Sequence, residues 1–304
     1  MIEETDRTIT PDIDDKQYFA LPSIDQSQLK EYLHNPYDWA WKRLSGEHKT
    51  TTAFEFGTAF HAFLLGTSHV VNLPEGETLR SKDNRDWKAE HEAEGDIVVS
   101  YDTMRLLERM RGNIERASRM GDCPNYMKII EDGIPEQCIE WTDQESGLRL
   151  KAKPDLIPAN ETYLVDLKTC RSISQRDFAV TVLNHGYHIQ AEFYRMAVAQ
   201  VNPALFNRQT RRASSMDFWC FEKEGACDWF PHRFGARDEM AEKARQSIRQ
   251  GLNRLSVDCR KAEDAGYGTG PDAAAKWILD THHPIKPVNI VFEQWMVDQA
   301  GKLV

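Results

Sequence analysis

The stretch "KPDLIPANETYLVDLKTC", residues 153 to 170, sets Asp155, Asp166 and Lys168 in otherwise apolar, strand-like sequence. A charged side chain among strand residues is unfavourable unless it is paired, hydrated or holding a metal, so the stretch requires partners elsewhere in the chain. Side chains alternate along a strand, which puts Leu164, Asp166 and Lys168 on one face and Tyr163, Val165 and Leu167 on the other. Along "RLKAKPD" the same rule gives Arg149, Lys151, Lys153 and Asp155 a common face, with Pro154 able to disturb the last step. If the two strands are neighbours joined by a turn at 158 to 161, Asp155 and Asp166 converge at one end of the sheet. Two carboxylates that close repel unless a cation lies between them, and oxygen ligation suits Mg²⁺ or Mn²⁺.

Further strands are expected on either side of this stretch, at "MKIIED", "EQCIEW", "MDFWCFEKE" and "CDWFPHRF". Helices are expected at about 174 to 183, 187 to 200 and 237 to 263. Towards the N-terminus, "SIDQSQLKEYLHNPYDWAWKRL" reads as two short helices divided at Asn35-Pro36, the N-cap and first position of the second. In "TTAFEFGTAFHAFLLG" a capping box of Thr52 and Glu55 opens a helix whose buried face is Phe56, Phe60, Phe63 and Leu64, with His61 beside it. The doubly charged "LRSKDNRDWKAEHEAEG" is an exposed helix or a mobile arm, and a helix over Tyr101 to Met120 follows. Residues 1 to 19 are polar and aperiodic, as a loose leader would be. The order of elements predicts an α/β fold with a mixed sheet: one domain over 20 to 304, its core at about 50 to 235 and a C-terminal helical extension from about 236.

A chain of 304 residues with 40% hydrophobic content can bury a sizeable core. It has no 18-residue apolar run, and its N-terminus lacks a basic and apolar signal pattern, so a cytoplasmic protein away from the membrane is expected. The six cysteines form no C-x-x-C pair, which suggests reduced thiols and neither a zinc knuckle nor a compact iron–sulfur motif. A formal charge of −10 argues against a protein that coats nucleic acid, but leaves room for a nucleic-acid enzyme with one basic channel. Arg149, Lys151 and Lys153 are the candidates for such a channel. Gln190 and Tyr194, at i and i+4 in "YHIQAEFY", could orient a lysine, a water or a phosphate.

Taken in order, "GTAFH", "KPD", "VDLKT" and "YHIQAEFY" resemble the PD-(D/E)XK nuclease superfamily, in its RecB-like branch, and most nearly the RecE-type exonuclease VIII nuclease domains of prophages. The likeness runs from about Leu21 to Trp295. It implies a restriction-endonuclease-like core, a mixed central sheet flanked by helices, with extra N- and C-terminal helices. The implied activity is Mg²⁺-dependent 5′-to-3′ degradation of linear double-stranded DNA to mononucleotides, with Mn²⁺ able to substitute, leaving 3′ overhangs for a RecT-like single-strand annealing protein. By the same resemblance His61, Asp155, Asp166 and the backbone carbonyl of Leu167 would bind metal, with Glu136 a further acidic position lining the site. Lys168 would position or activate the attacking water, and Gln190 and Tyr194 would steady the lysine and contact DNA. No iron–sulfur cluster is implied, and a ring-shaped homo-oligomer is. The alternatives are a single-strand nuclease or endonuclease of the same superfamily, and a catalytically silent DNA-binding or phage-encoded interaction protein that keeps the fold.

Overall fold

The computed structural model describes residues 7–11, 13–46, 51–159, 163–201 and 215–281. In chain order the elements begin with β1 (Arg7–Thr10), α1 (Asp15–Ala20), α2 (Gln26–His34), α3 (Pro36–Ser45), α4 (Thr52–Leu65), β2 (Val70–Asn72) and α5 (Lys82–Glu94). Next come β3 (Ile97–Val99), α6 (Tyr101–Ser118), α7 (Tyr126–Asp132), β4 (Ile134–Pro135), β5 (Cys138–Thr142), β6 (Arg149–Ala152), β7 (Leu156–Ile157) and β8 (Tyr163–Cys170). The remainder are α8 (Gln175–His185), α9 (Tyr187–Val201), β9 (Ser215–Glu222), β10 (Trp229–Gly235), α10 (Glu239–Asp264) and α11 (Gly270–Thr281).

The central sheet has five strands in the order β10-β9-β8-β7-β4, and β8 lies in its middle. β8 runs parallel to β9, while β7 and β10 pair antiparallel with their neighbours, which makes the sheet mixed. A strand covered on both faces must be apolar on both, and "YLVDLKTC" meets that demand except at Asp166 and Lys168. Leu164 joins one buried cluster, with Met216, Phe218, Phe193, Ile248 and Leu252. Val165 and Leu167 join the other, with Trp219, Phe221, Phe60, Leu107 and Met110. The sheet thus separates a layer built around α9, α2 and α10 from one built around α4 and α6.

The leader expected to be loose, residues 1 to 19, is structured where it is described, over 7–11 and 13–19: β1 pairs antiparallel with β5, and α1 is closed by a capping box between Asp14 and Gln17. Their isolated sequence carries no period, and it is the edge of β5 that orders them. "MKIIED" is not a strand but part of α7, capped by Asn125; its apolar pair Ile129-Ile130 is too short a run to tell a helix from a strand. The helix of "TTAFEFGTAFHAFLLG" starts one residue earlier than its capping pattern suggests, with Thr51 as N-cap, its side chain accepting from the amide of Phe54. Asn35 and Pro36 cap and open α3 as expected. The charged α5 is an exposed helix with no buried residue.

α10 and α11 extend the first core cluster through Ile248, Leu252, Leu255, Ala274 and Ala275, and α11 packs on α3 as well as α10. The close approach of α10 to α2 depends on Gly251, where a β-carbon would meet Leu29 Cδ1 at 2.8 Å. Helices from both ends of the chain therefore share the body that carries the central sheet. Among the described residues no helix is long and apolar enough to cross a membrane. The tip of the expected turn, residues 160–162, and the end of the expected extension, 282–304, lie outside the described residues.

Candidate active site

Asp155 sits just before β7, and Asp166 and Lys168 lie on the face of β8 that looks towards α9. The antiparallel register, Leu156 opposite Val165, carries Asp155 towards Asp166 and within reach of the next residue, Leu167, whose amide donates to Asp155 Oδ2 at 2.7 Å. Asp166 is fully buried. Its Oδ1 accepts a hydrogen bond from Gln190 Nε2 at 2.7 Å, and its Oδ2 makes an ion pair with the Lys168 ammonium. From the opposite layer α4 delivers His61, with Nε2 3.1 Å from the Leu167 carbonyl oxygen and Nδ1 3.6 Å from Asp155 Oδ2.

Burial, and then the Lys168 charge, lower the pKa of His61, so its ring is neutral near pH 7. A neutral imidazole has one N–H, and the Leu167 carbonyl can only accept, which puts the proton on Nε2. The Nδ1 lone pair then faces the Asp155 carboxylate at a distance too long for a hydrogen bond. Two electron-rich atoms turned towards each other, the His61 Nδ1 lone pair and the Asp155 carboxylate, are the arrangement that a cation would relieve. The residues present therefore fit a divalent metal: His61 Nδ1, Asp155 and Asp166, with the second lone pair of the Leu167 carbonyl. The donor atoms of His61, Asp155 and Asp166 do not all come within 4.8 Å of one another.

Burial pushes both Asp155 and Asp166 up to about 6, against the opposing pull of the Lys168 charge. Burial alone would lower Lys168, but Asp166 and Asp155 outweigh it and hold the ammonium above its ordinary pKa. Carboxyls raised in the folded chain bind protons more tightly than in the unfolded one. The metal-free protein should therefore lose stability as pH rises from about 4 to about 6, and Mg²⁺ must displace the same protons. Thermal stabilisation by Mg²⁺ should be small near pH 5 and large near pH 7. Equal shifts at the two pH values would contradict the assignment of these carboxyls as its ligands.

Glu136 adopts φ 45°, uncommon for a residue with a side chain, and its amide donates to the Asp155 carbonyl at 3.0 Å. Its carboxylate faces Lys153 Nζ at 3.4 Å, and its charge acts on both His61 and Asp155. Gln190 reaches Asp166 rather than Lys168. Tyr194 is buried on the same face of α9, and the charges of Asp155 and Asp166 add to burial in raising its pKa. What steadies Lys168 besides Asp166 is Tyr187, whose ring lies 4.7 Å from the ammonium. Sequence reading passed over Tyr187, although it stands three residues before Gln190 on one helix face. It also passed over Lys30 on α2, which donates to the His185 carbonyl at 3.0 Å; burial, then the charge of Lys168, lowers its pKa to about 8.

The expected basic face does not form. Lys151 is fully buried, donating to the carbonyls of Tyr18 at 2.7 Å and Leu21 at 3.0 Å. Lys153 is paired with Asp15 at 2.6 Å as well as with Glu136. Arg149 is half-exposed and donates to Thr8 Oγ1 at 3.0 Å. All three point into the N-terminal segment, whose polar, aperiodic sequence suggests a loose leader.

None of the curated proteins matches this chain. Among solved structures it is similar to a "putative exonuclease" from Eubacterium rectale, at 16% identity with a TM-score of 0.52, covering 91% of this chain and 96% of that one. At that identity the likeness is one of fold. The family model described as "PDDEXK-like domain of unknown function (DUF3799)" matches residues 26–269, which include every side chain of the site above. The mixed sheet with its paired aspartates and lysine is thus the core of a PDDEXK-like nuclease fold, and the chain belongs to that family.

Proposed function

We propose that this protein is a Mg²⁺-dependent 5′-to-3′ exodeoxyribonuclease that degrades linear double-stranded DNA, with Mn²⁺ able to replace Mg²⁺. The observation that carries the reading is the convergence of Asp155, Asp166, His61 and the Leu167 carbonyl beside an ammonium that is held charged. A divalent ion bound there would supply Lewis acidity towards a phosphodiester oxygen and make a water acidic enough to attack. The chain's own groups do the rest. Leu167 N fixes Asp155, and Gln190 fixes one oxygen of Asp166, leaving the other for the cation and Lys168. Because Lys168 stays protonated, its role is to orient the attacking water and to stabilise negative charge developing on the phosphoryl oxygens, not to act as a base. Release of mononucleotides, 3′ overhangs handed to a RecT-like annealing protein, and a ring-shaped homo-oligomer around the duplex complete the reading and rest on resemblance to exonuclease VIII.

Linear duplex labelled at the 5′ or the 3′ end, beside a closed circle, tests this with Mg²⁺ and with EDTA. Early release of the 5′ label in Mg²⁺ alone, with the circle intact, is expected. A cut circle would assign an endonuclease, and cleavage of single strands only would assign a single-strand nuclease. A monomer in light scattering at working concentration would remove the ring.

A further inference from the structure

Outside that site, the C-terminal end of α5 gathers a second set of metal-ligating side chains. His91 Nδ1 lies 2.6 Å from Asp96 Oδ2, and His69 Nδ1 lies 3.2 Å from Asp96 Oδ1. Ligand atoms of His91, Glu94 and Asp96 all fall within 4.8 Å of one another, which no other trio of His, Cys, Asp and Glu does among the described residues. The backbone holds this grouping in place. Gly95, at φ 94°, turns the chain out of α5, so that the Asp96 amide donates back to the His91 carbonyl at 3.0 Å. The Ile97 amide donates to the His69 carbonyl at 2.9 Å, which ties the start of β3 to the start of β2. One helical turn away, the Trp87 ring lies 4.3 Å from the His91 ring and limits its rotation.

The His91 imidazole with two carboxylates, and the His69 imidazole in reach of Asp96 though outside the 4.8 Å grouping, make a donor set that favours zinc-class ions over Mg²⁺, because nitrogen donors suit a borderline-soft cation. The mechanical setting points the same way: α5 buries no residue, so apolar packing does not hold it on the body. We propose that His91, Glu94 and Asp96, with His69 beside them, bind one Zn²⁺ ion, separate from the nuclease centre, and that this ion pins α5 to the β2–β3 pair.

The test is a Zn²⁺ titration by calorimetry of the full chain, stripped with chelator and returned to excess Mg²⁺, together with limited trypsin digestion at Lys82, Arg85 and Lys88 of α5. One Zn²⁺ site is expected in the wild type and also in His61→Ala. In His91→Ala and in Asp96→Asn its affinity should fall by about tenfold or more, since each removes a ligand or its charge. Cleavage within α5 should slow on Zn²⁺ addition in the wild type and in His61→Ala but not in His91→Ala or Asp96→Asn, while Mg²⁺-dependent DNA cleavage by His91→Ala should match the wild type. Should Asp96→Asn fold poorly, the exposed Glu94→Gln takes its place with the same expectation. A titration unchanged in these variants, or no Zn²⁺ uptake by the wild type, would overturn the proposal and leave a hydrogen-bonded His–Asp network without an ion.

Discussion

Asp166→Asn is expected to lower Mg²⁺-dependent DNA cleavage by about 10³-fold or more, the scale of losing several kcal/mol of charge stabilisation from the transition state. The amide keeps the shape of the side chain and an oxygen that can accept from Gln190. It removes the charge that both a cation and Lys168 require. With Asp166 fully buried and Lys168 16% exposed, the substitution leaves an ammonium without its partner. Loss of one member of such a pair typically destabilises by about 3–5 kcal/mol. Inactivity alone could then reflect a poorly folded chain, and a second variant separates the two effects. Asp166→Asn combined with Lys168→Met should recover much of the stability, because no unpaired charge remains, and none of the activity. Urea midpoints measure the first quantity, and end-labelled duplex the second. Full cleavage by Asp166→Asn would remove this carboxylate from the mechanism.

The second large effect is expected far from the chemistry. Lys151→Ala should destabilise the fold by about 2–5 kcal/mol, as a large-to-small change at a fully buried position that also removes a donor from two carbonyls. Lys151 spans from β6 to the N-terminal segment: its ammonium serves Tyr18 and Leu21, lies over the Tyr18 ring at 4.6 Å and faces Asp25 Oδ2 at 4.0 Å. Around it the Ile24 and Lys151 main chains bond to each other, and Ile24 also bonds to Arg149. Burial lowers the pKa of this lysine, Asp25 opposes that, and no DNA phosphate could reach it. The salt dependence of DNA binding should therefore be unchanged in a variant that still folds. A stable Lys151→Ala protein with a flattened salt slope would restore the basic face that the strand pattern suggests.

That reversal shows what the amino-acid order discloses. Alternation along β8 correctly put Asp166 and Lys168 together, because period 2 is a local property of one strand. Asp155 was placed next to them by assuming a neighbouring strand, and the β7–β8 register supplies that neighbour. The face shared by Arg149 and Lys151 was equally legible, but whether it met water or protein was not. That depends on β1 and on Tyr18 and Leu21 packing against it, contacts more than a hundred positions distant in the chain. Tyr187 and Lys30 escaped notice for the same reason: each acts through a partner that only tertiary packing provides. α7 is a helix where the short apolar run of its sequence fits both periods.

The site is assembled from α4, the start of β7, β8 and α9, and β8 reaches its place only by pairing in parallel with β9, which begins at Ser215. His61 and Leu167 alone are separated by 106 positions. Closing loops of that length is entropically slow and is rewarded only when the non-local pairings form together. A chain emerging from the ribosome consequently cannot complete this centre before Ser215–Glu222 is available to pair with β8. Cleaving power should appear late and all at once, when the parallel pair closes, so that truncated or half-made copies are inert towards DNA.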